Sequence, residues 1–256
     1  MVAMLQQPPR PLDGQVAITT GASSGLGRAT AVALARAGAH VALLARTSAD
    51  LEQAAAEVRG LGSRALAIPT DLAREDDVFA AVDRSVGELG RVDILVNAGA
   101  TDVPRSIAEL SVEDWDHVMA VNLRGPFILA KAVLPHMRRA RRGTIVNVSS
   151  VAGKRGWANA AAYCASKFGL TGLTQSLAAE AREYGIRACI VYPGGMATNW
   201  GTWSPTERGA TAPTPSPADA LPPEDVASFI AWLACAPPEV VVNEAIVTPL
   251  HERGWP

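Results

Sequence analysis

Tyr163 and Lys167 stand four residues apart in an Ala-rich segment with helical spacing, so one helix face presents both side chains. A free phenol, with a pKa of ~10, is a poor proton donor or acceptor at neutral pH. A cation about 4 Å away is worth ~4 kcal/mol at an effective dielectric of about 20. At ~1.4 kcal/mol per pKa unit, that attraction can lower a phenol by up to ~3 units, into the range of a workable general acid and base. Ser149 and Ser150 end a predicted strand upstream. Alternation along a strand sends their hydroxyls to opposite faces, so only one of them can point at Tyr163.

A second cluster has the chemistry of phosphate binding. Thr20-Gly21-Ala22-Ser23-Ser24-Gly25-Leu26-Gly27 lies between the first predicted strand and the first predicted helix. Gly21 suits a tight turn, and Gly25 and Gly27 clear side chains where a pyrophosphate and the neighbouring strand come close. The helix start offers free N–H groups and the positive end of a dipole. A plain strand-to-helix turn has little need of three glycines. At the end of the second strand, dinucleotide sites that take NAD place a carboxylate for the ribose 2′-hydroxyl. Here that position is Ala45, followed by Arg46, whose guanidinium suits a 2′-phosphate. Arg46 as an ordinary solvated loop charge is the plain alternative. Asp71, after the third strand, reads equally as a helix N-cap.

Alternating elements position these groups. Strands are predicted at 15–19, 40–45, 64–68, 92–96, 143–148, 186–192 and 245–248. Helices are predicted at 25–37, from an N-cap at Ser48 through 51–59, at 75–89 ending near Gly90, from a Ser111/Asp114 capping box to about 137 with a kink at Gly125-Pro126, at 160–184 and at 223–234. β-branched runs separated by helices indicate an α/β, Rossmann-type doubly wound parallel sheet of about seven strands. The expected organisation is a flexible tail at 1–12 and a single domain at 13–256. Its one long irregular segment, 194–222, carries Trp200 and Trp203.

Composition narrows the classes. The 256 residues are 48% hydrophobic and 19% charged, which argues against a disordered chain. A net charge of −2 and one basic run, Arg138 to Arg142 at a helix end, argue against a nucleic-acid partner. Three scattered cysteines and four scattered histidines have no metal-ligand spacing, so no metal is expected. No apolar run of ~18 residues is evident, so no membrane span is expected. The expectation is a soluble cytoplasmic protein.

Taken in order, the motifs resemble those of the short-chain dehydrogenase/reductase family, in its single-domain branch of about 250 residues. The T-G-x-x-x-G-x-G run matches in place and spacing. Val96-Asn97-Ala98-Gly99 resembles the family's N-N-A-G motif with Val96 in place of the first Asn. Asn122, Ser150, Tyr163 and Lys167 match its catalytic set, and Pro193-Gly194 with Thr198 resembles its P-G-x-x-x-T motif.

The resemblance implies a hydride-transferring oxidoreductase that interconverts a ketone or aldehyde and an alcohol with NAD(P). NADP is preferred on the Ala45-Arg46 pattern, and NAD is the alternative. It implies that Tyr163 exchanges the proton, Ser150 holds the substrate oxygen, Lys167 lowers the phenol and holds the nicotinamide ribose, and Asn122 helps hold a relaying water. Cofactor contacts are implied at Gly21, Ser23, Ser24, Gly25, Leu26, Gly27, Arg46, Asp71, Leu72, Asn97, Ala98, Gly99, Tyr163, Lys167, Pro193, Gly194, Met196 and Thr198. Substrate contacts are implied at Ser150, Tyr163 and Trp157, with Thr101 nearby and 194–222 as a lid. The partner is then a small carbonyl or alcohol, and a homotetramer or homodimer is implied. The tail at 242–249 looks closer to NADP-dependent alcohol or hydroxy-acid oxidoreductases than to an acyl-carrier-protein ketoreductase. Two rival readings are an NAD-dependent alcohol dehydrogenase and a non-catalytic NADP-sensing or scaffold protein on the same fold.

Overall fold

Seven strands form one parallel sheet: β1 (Val16–Thr20), β2 (His40–Ala45), β3 (Ala65–Pro69), β4 (Ile94–Asn97), β5 (Gly143–Val148), β6 (Ile186–Pro193) and β7 (Glu244–Val247). Their order is β3-β2-β1-β4-β5-β6-β7. Between them run α1 (Gly25–Arg36), α2 (Ser48–Gly60), α3 (Glu75–Leu89), α4 (Val112–Met119), α5 (Gly125–Ala140), α6 (Ala161–Ala181) and α7 (Pro223–Cys235). The computed structural model describes residues 10–198 and 220–251. Chain order reverses between β1 and β4, and in an open α/β sheet ligands bind in the crevice beyond the strand ends at such a switch point.

Adjacent strand residues feed opposite faces. Val16 and Ile18 of β1 join a core with Val78 of α3, Leu129 of α5 and Leu177 of α6. Ala17 between them joins Leu34 of α1 and Ile230 of α7. A third cluster packs Ala31 of α1 and Leu51 of α2 against Val41 and Leu43 of β2. Both faces are thus covered, which explains why the inner strands read as continuous apolar runs.

Several local signals act as expected. Ser111 Oγ accepts from Asp114 N–H at 3.0 Å and opens α4. Gly90 caps α3 in the left-handed region at φ 92°. Other expectations are corrected. Thr47, not Ser48, is the N-cap of α2. The Gly125-Pro126 kink is replaced by a π turn at Ala120–Arg124, immediately before α5. Pro126 has no N–H to give to Asn122 O four residues back, so the regular ladder fails there. Gly125 itself is helical at φ −55°, and a Cβ on it would come 3.0 Å from Leu72 O. Its smallness therefore serves close packing and not a bend.

The tail boundary also moves. Leu12 is 1% exposed, and its N–H donates to Ala37 O at 2.9 Å, so it belongs to the core. A further correction concerns apolar length. The continuous helical stretch Val112–Ala140 is long and apolar enough on composition to cross a membrane. Over half of its most apolar window is buried inside the fold, and core packing accounts for its composition. The basic run is absorbed locally: Arg138 lies over the Tyr184 ring, Arg141 donates to Glu183 O and Arg142 pairs with Asp93.

Asp93 pins the far end of the central strands. Its Oδ2 accepts from Val16 N–H at 3.0 Å, and Arg91 and Arg142 close on the carboxylate at 2.7 and 2.9 Å. The carboxylate is buried while both arginines reach solvent. Asp93→Ala leaves a buried N–H unpaired and two cations without a partner. It should lower unfolding free energy by about 2–4 kcal/mol in urea titrations, against about 1 kcal/mol or less for Arg91→Ala or Arg142→Ala.

Candidate active site

The C-terminal ends of β1, β2, β4, β5 and β6 open into one cleft of about 550 Å³. At one end lies the glycine turn. Gly21 has φ +65°, and a Cβ there would come 2.8 Å from Gly99 Cα. Thr20 Oγ1 accepts from Ala98 N–H at 3.0 Å and Gly99 N–H at 2.9 Å. The turns after β1 and β4 are therefore in backbone contact. Gly27 packs against Gly21 O and Thr20 O, where a Cβ would collide. It serves the fold, while Gly25, at φ +49°, lines the cleft opposite Thr198.

Ser24 caps α1 without a side-chain bond, and the first turn holds no acid. Its free N–H groups and dipole face the cleft as an anion site. Arg46 and Thr47 at the end of β2, and Thr70, Asp71 and Leu72 after β3, complete this wall. Asp71 Oδ1 accepts from Ala73 N–H at 2.9 Å, a local turn; the N-cap of α3 is Arg74. Pro193, Gly194, Met196 and Thr198 form the opposite wall, fixed where Gly194 N–H donates to Val247 O at 2.9 Å. These residues fit a dinucleotide: an anion-binding turn in the middle, an arginine at one end and a buried phenol–amine group at the other.

That group stands on α6. Tyr163 and Lys167 are both buried on the face that meets β5. Lys167 Nζ donates to Val148 O at 2.9 Å and lies 5.5 Å from the Tyr163 ring centroid. Ser150 hydrogen-bonds the Tyr163 side chain, and its Oγ accepts from Ala152 N–H at 3.2 Å. Ser149 donates to Lys167 O at 3.4 Å and also touches the cleft.

The electrostatics depart from the simple spacing argument. Burial pushes the Tyr163 phenol above its ordinary range, the Ser150 bond pulls it down, and Asp102 and Cys164 push it up. Burial also lowers Lys167 to about 8, against the upward pull of Asp102. Desolvation is the largest influence on both groups, and an i,i+4 estimate in a uniform dielectric does not include it.

Two predicted residues lie behind the wall. The Asn97 amide donates to Asn147 Oδ1 at 2.7 Å, and Asn147 donates to Thr174 on α6. Asn122 accepts from Thr101 N–H and donates to Thr101 O, both at 2.8 Å, and donates to Ser166 Oγ at 3.1 Å. Its amide is a clamp between the π turn, the loop after β4 and α6. The remaining predicted cofactor residues line the cleft, as do Thr101 and the half-exposed Trp157. Trp200, Trp203 and most of 194–222 lie outside the described residues. The two ends of that segment are joined by a Met196–Leu221 bridge.

One titratable group was not foreseen. Asp102, next to Thr101, is pushed up to about 6 by burial and acts electrostatically on both Tyr163 and Lys167. Its only sequence signal is adjacency to the Asn97-Ala98-Gly99 turn.

Comparison with known proteins agrees with this geometry. Cis-4-hydroxycyclohexanecarboxylate dehydrogenase from Sinomonas cyclohexanicum is 40% identical over 231 residues, 90% of this chain and 92% of that protein. The 3-oxoacyl-[acyl-carrier-protein] reductase FabG of Thermotoga maritima is 34% identical, covering 92% of this chain and 96% of its own. A crystal structure of a metagenomic short-chain oxidoreductase in complex with NADP superposes with a TM-score of 0.80 at 35% identity, over 93% of this chain and 98% of that one. Residues 15–208 match the short chain dehydrogenase family model, and the chain belongs to the short-chain dehydrogenase/reductase family.

Proposed function

We propose that the chain is an NADP(H)-preferring oxidoreductase that interconverts a ketone and a secondary alcohol, with Tyr163 exchanging the proton. The observation that carries the proposal is that Arg46, the α1 N-terminus, Lys167, Tyr163 and Ser150 all line one cleft. Bound nicotinamide supplies or accepts the hydride. Tyr163 gives its proton to the alkoxide that forms on reduction and takes it back on oxidation. Ser150, already bonded to Tyr163, donates to the same oxygen. Lys167, fixed by Val148 O, keeps a positive charge beside the phenol and donates to the ribose. Asn122 holds the loop of Thr101 against α6, and a water at its carbonyl relays protons toward Lys167.

Selectivity between the two nicotinamide cofactors rests on β2. Ala45 offers no carboxylate to a ribose hydroxyl, and Arg46 stands exposed on the cleft wall. A guanidinium fork at that position matches a phosphate bidentately. For the substrate, Trp157 and Thr101 supply an apolar wall with one hydroxyl, suited to a bulky, weakly polar carbonyl compound. The hydroxycyclohexanecarboxylate relative suggests cyclic hydroxy acids as the first compounds to assay.

Tyr163→Phe should lower kcat by about 10²–10⁴-fold and leave NADPH affinity, read by fluorescence, within about threefold. Retained turnover refutes the proton-donor role. Arg46→Ala should raise KM for NADPH by about tenfold or more while KM for NADH changes little, since one charge-assisted phosphate pair is worth about 1.5–3 kcal/mol. An equal effect on both cofactors refutes the phosphate-binding role.

A further inference from the structure

Asp102 follows Thr101 on the loop after β4. The Asn122 amide holds both polar backbone atoms of Thr101 and also donates to Ser166 Oγ. Ser166 donates to Tyr163 O at 2.7 Å and sits immediately before Lys167. Loop, π turn and α6 are thus one hydrogen-bonded unit, and Asp102 leaves it within electrostatic reach of Tyr163 and Lys167. Val103 N–H donates to the Asp102 carboxylate, while Oδ1 is buried with no hydrogen-bond partner among the described residues. Leaving a buried polar atom unpaired costs about 1–3 kcal/mol, and more for a charged one, so this carboxylate calls for an explanation.

The surroundings supply one. From α6, Tyr163 and Cys164 pack together, and burial holds the Tyr163 phenol protonated at neutral pH. From the end of β5 come Ser149 and Ser150, and from the π turn Asn122, all uncharged. On the loop itself, Arg105 turns its guanidinium to Pro104 O at 3.1 Å. Among the described residues, Asp102 is the acid whose charge acts on Lys167.

We propose that Asp102 is a positioning residue whose half-buried carboxylate is the counter-charge of Lys167, keeping it an ammonium beside Tyr163 and so setting the pH at which the pair works. The proposal rests on the reading of Tyr163 and Lys167 as the working pair. The sign is the same for both groups. A carboxylate at Asp102 favours the Lys167 ammonium and opposes a Tyr163 phenolate, so removing the charge moves both titrations to lower pH.

The chain has three lysines, Lys131, Lys154 and Lys167, so [ε-¹³C]lysine labelling of the whole protein gives a readable NMR titration. In the wild type the Lys167 resonance should show a small step near pH 6 as Asp102 ionises, and its main step near 8. Asp102→Asn should remove the small step and lower the main midpoint by about one pH unit; Asp102→Glu should keep both steps. The alkaline limb of kcat/KM with NADPH should move with the midpoint. An unshifted Lys167 midpoint in Asp102→Asn, or equal shifts in Asn and Glu variants, overturns the proposal. A wild-type curve with no inflection near pH 6 overturns it without any variant. If Lys167 titrates as expected but no carbonyl compound is turned over, the proposed function fails and the electrostatic link stands.

Discussion

A lysine ammonium held at 3% exposure is the constraint on which the site is built. Placing that charge out of water is unfavourable unless fixed dipoles or charges answer it. Here Val148 O, the last carbonyl of β5, accepts directly from Nζ, and the Asp102 carboxylate answers from the neighbouring loop. Both answers depend on the sheet order. The end of β5 reaches Lys167 because β5 lies between β4 and β6 under α6, and the loop after β4 reaches it because Asn122 ties that loop to α6.

The same switch point organises the cofactor end. The order of strand addition reverses between the parallel neighbours β1 and β4, and Thr20 Oγ1 ties their two turns together through Ala98 and Gly99 N–H. That contact tolerates no side chain at Gly21, and α1 tolerates none at Gly27. The glycines thus have two duties. Most of their smallness serves backbone approach inside the protein, and only Gly25 leaves space in the cleft itself.

Much of this was legible in the residues. Strand positions followed from apolar runs, because a sheet covered on both faces needs them, and the order of Gly21, Asn97, Ser150, Tyr163 and Pro193 located the cleft. What escaped was set by tertiary context. Gly125-Pro126 reads as a kink, yet Gly125 is helical and packs closely on Leu72, and the irregularity lies in the π turn that carries Asn122. Asn97 and Asn122 read as cofactor and catalytic residues; that their amides also tie Asn147, Thr101 and Ser166 together behind the wall is set by the fold. Spacing alone reads as a cation lowering the phenol, whereas burial is the largest influence on Tyr163 and moves it upward. Asp102 carries no motif of its own. Its importance comes from a loop path that only the fold defines.

The proposed reaction requires the anion-binding turn and the buried Tyr163–Lys167 pair to hold one dinucleotide between them, and a crystal structure of the chain with NADP would decide this. The pyrophosphate should lie on the α1 N-terminus, the 2′-phosphate at Arg46 and the nicotinamide C4 within about 5 Å of the Tyr163 hydroxyl, close enough for a near-attack geometry once substrate enters. A nicotinamide ring turned away from Tyr163, or a dinucleotide bound outside this cleft, would contradict it.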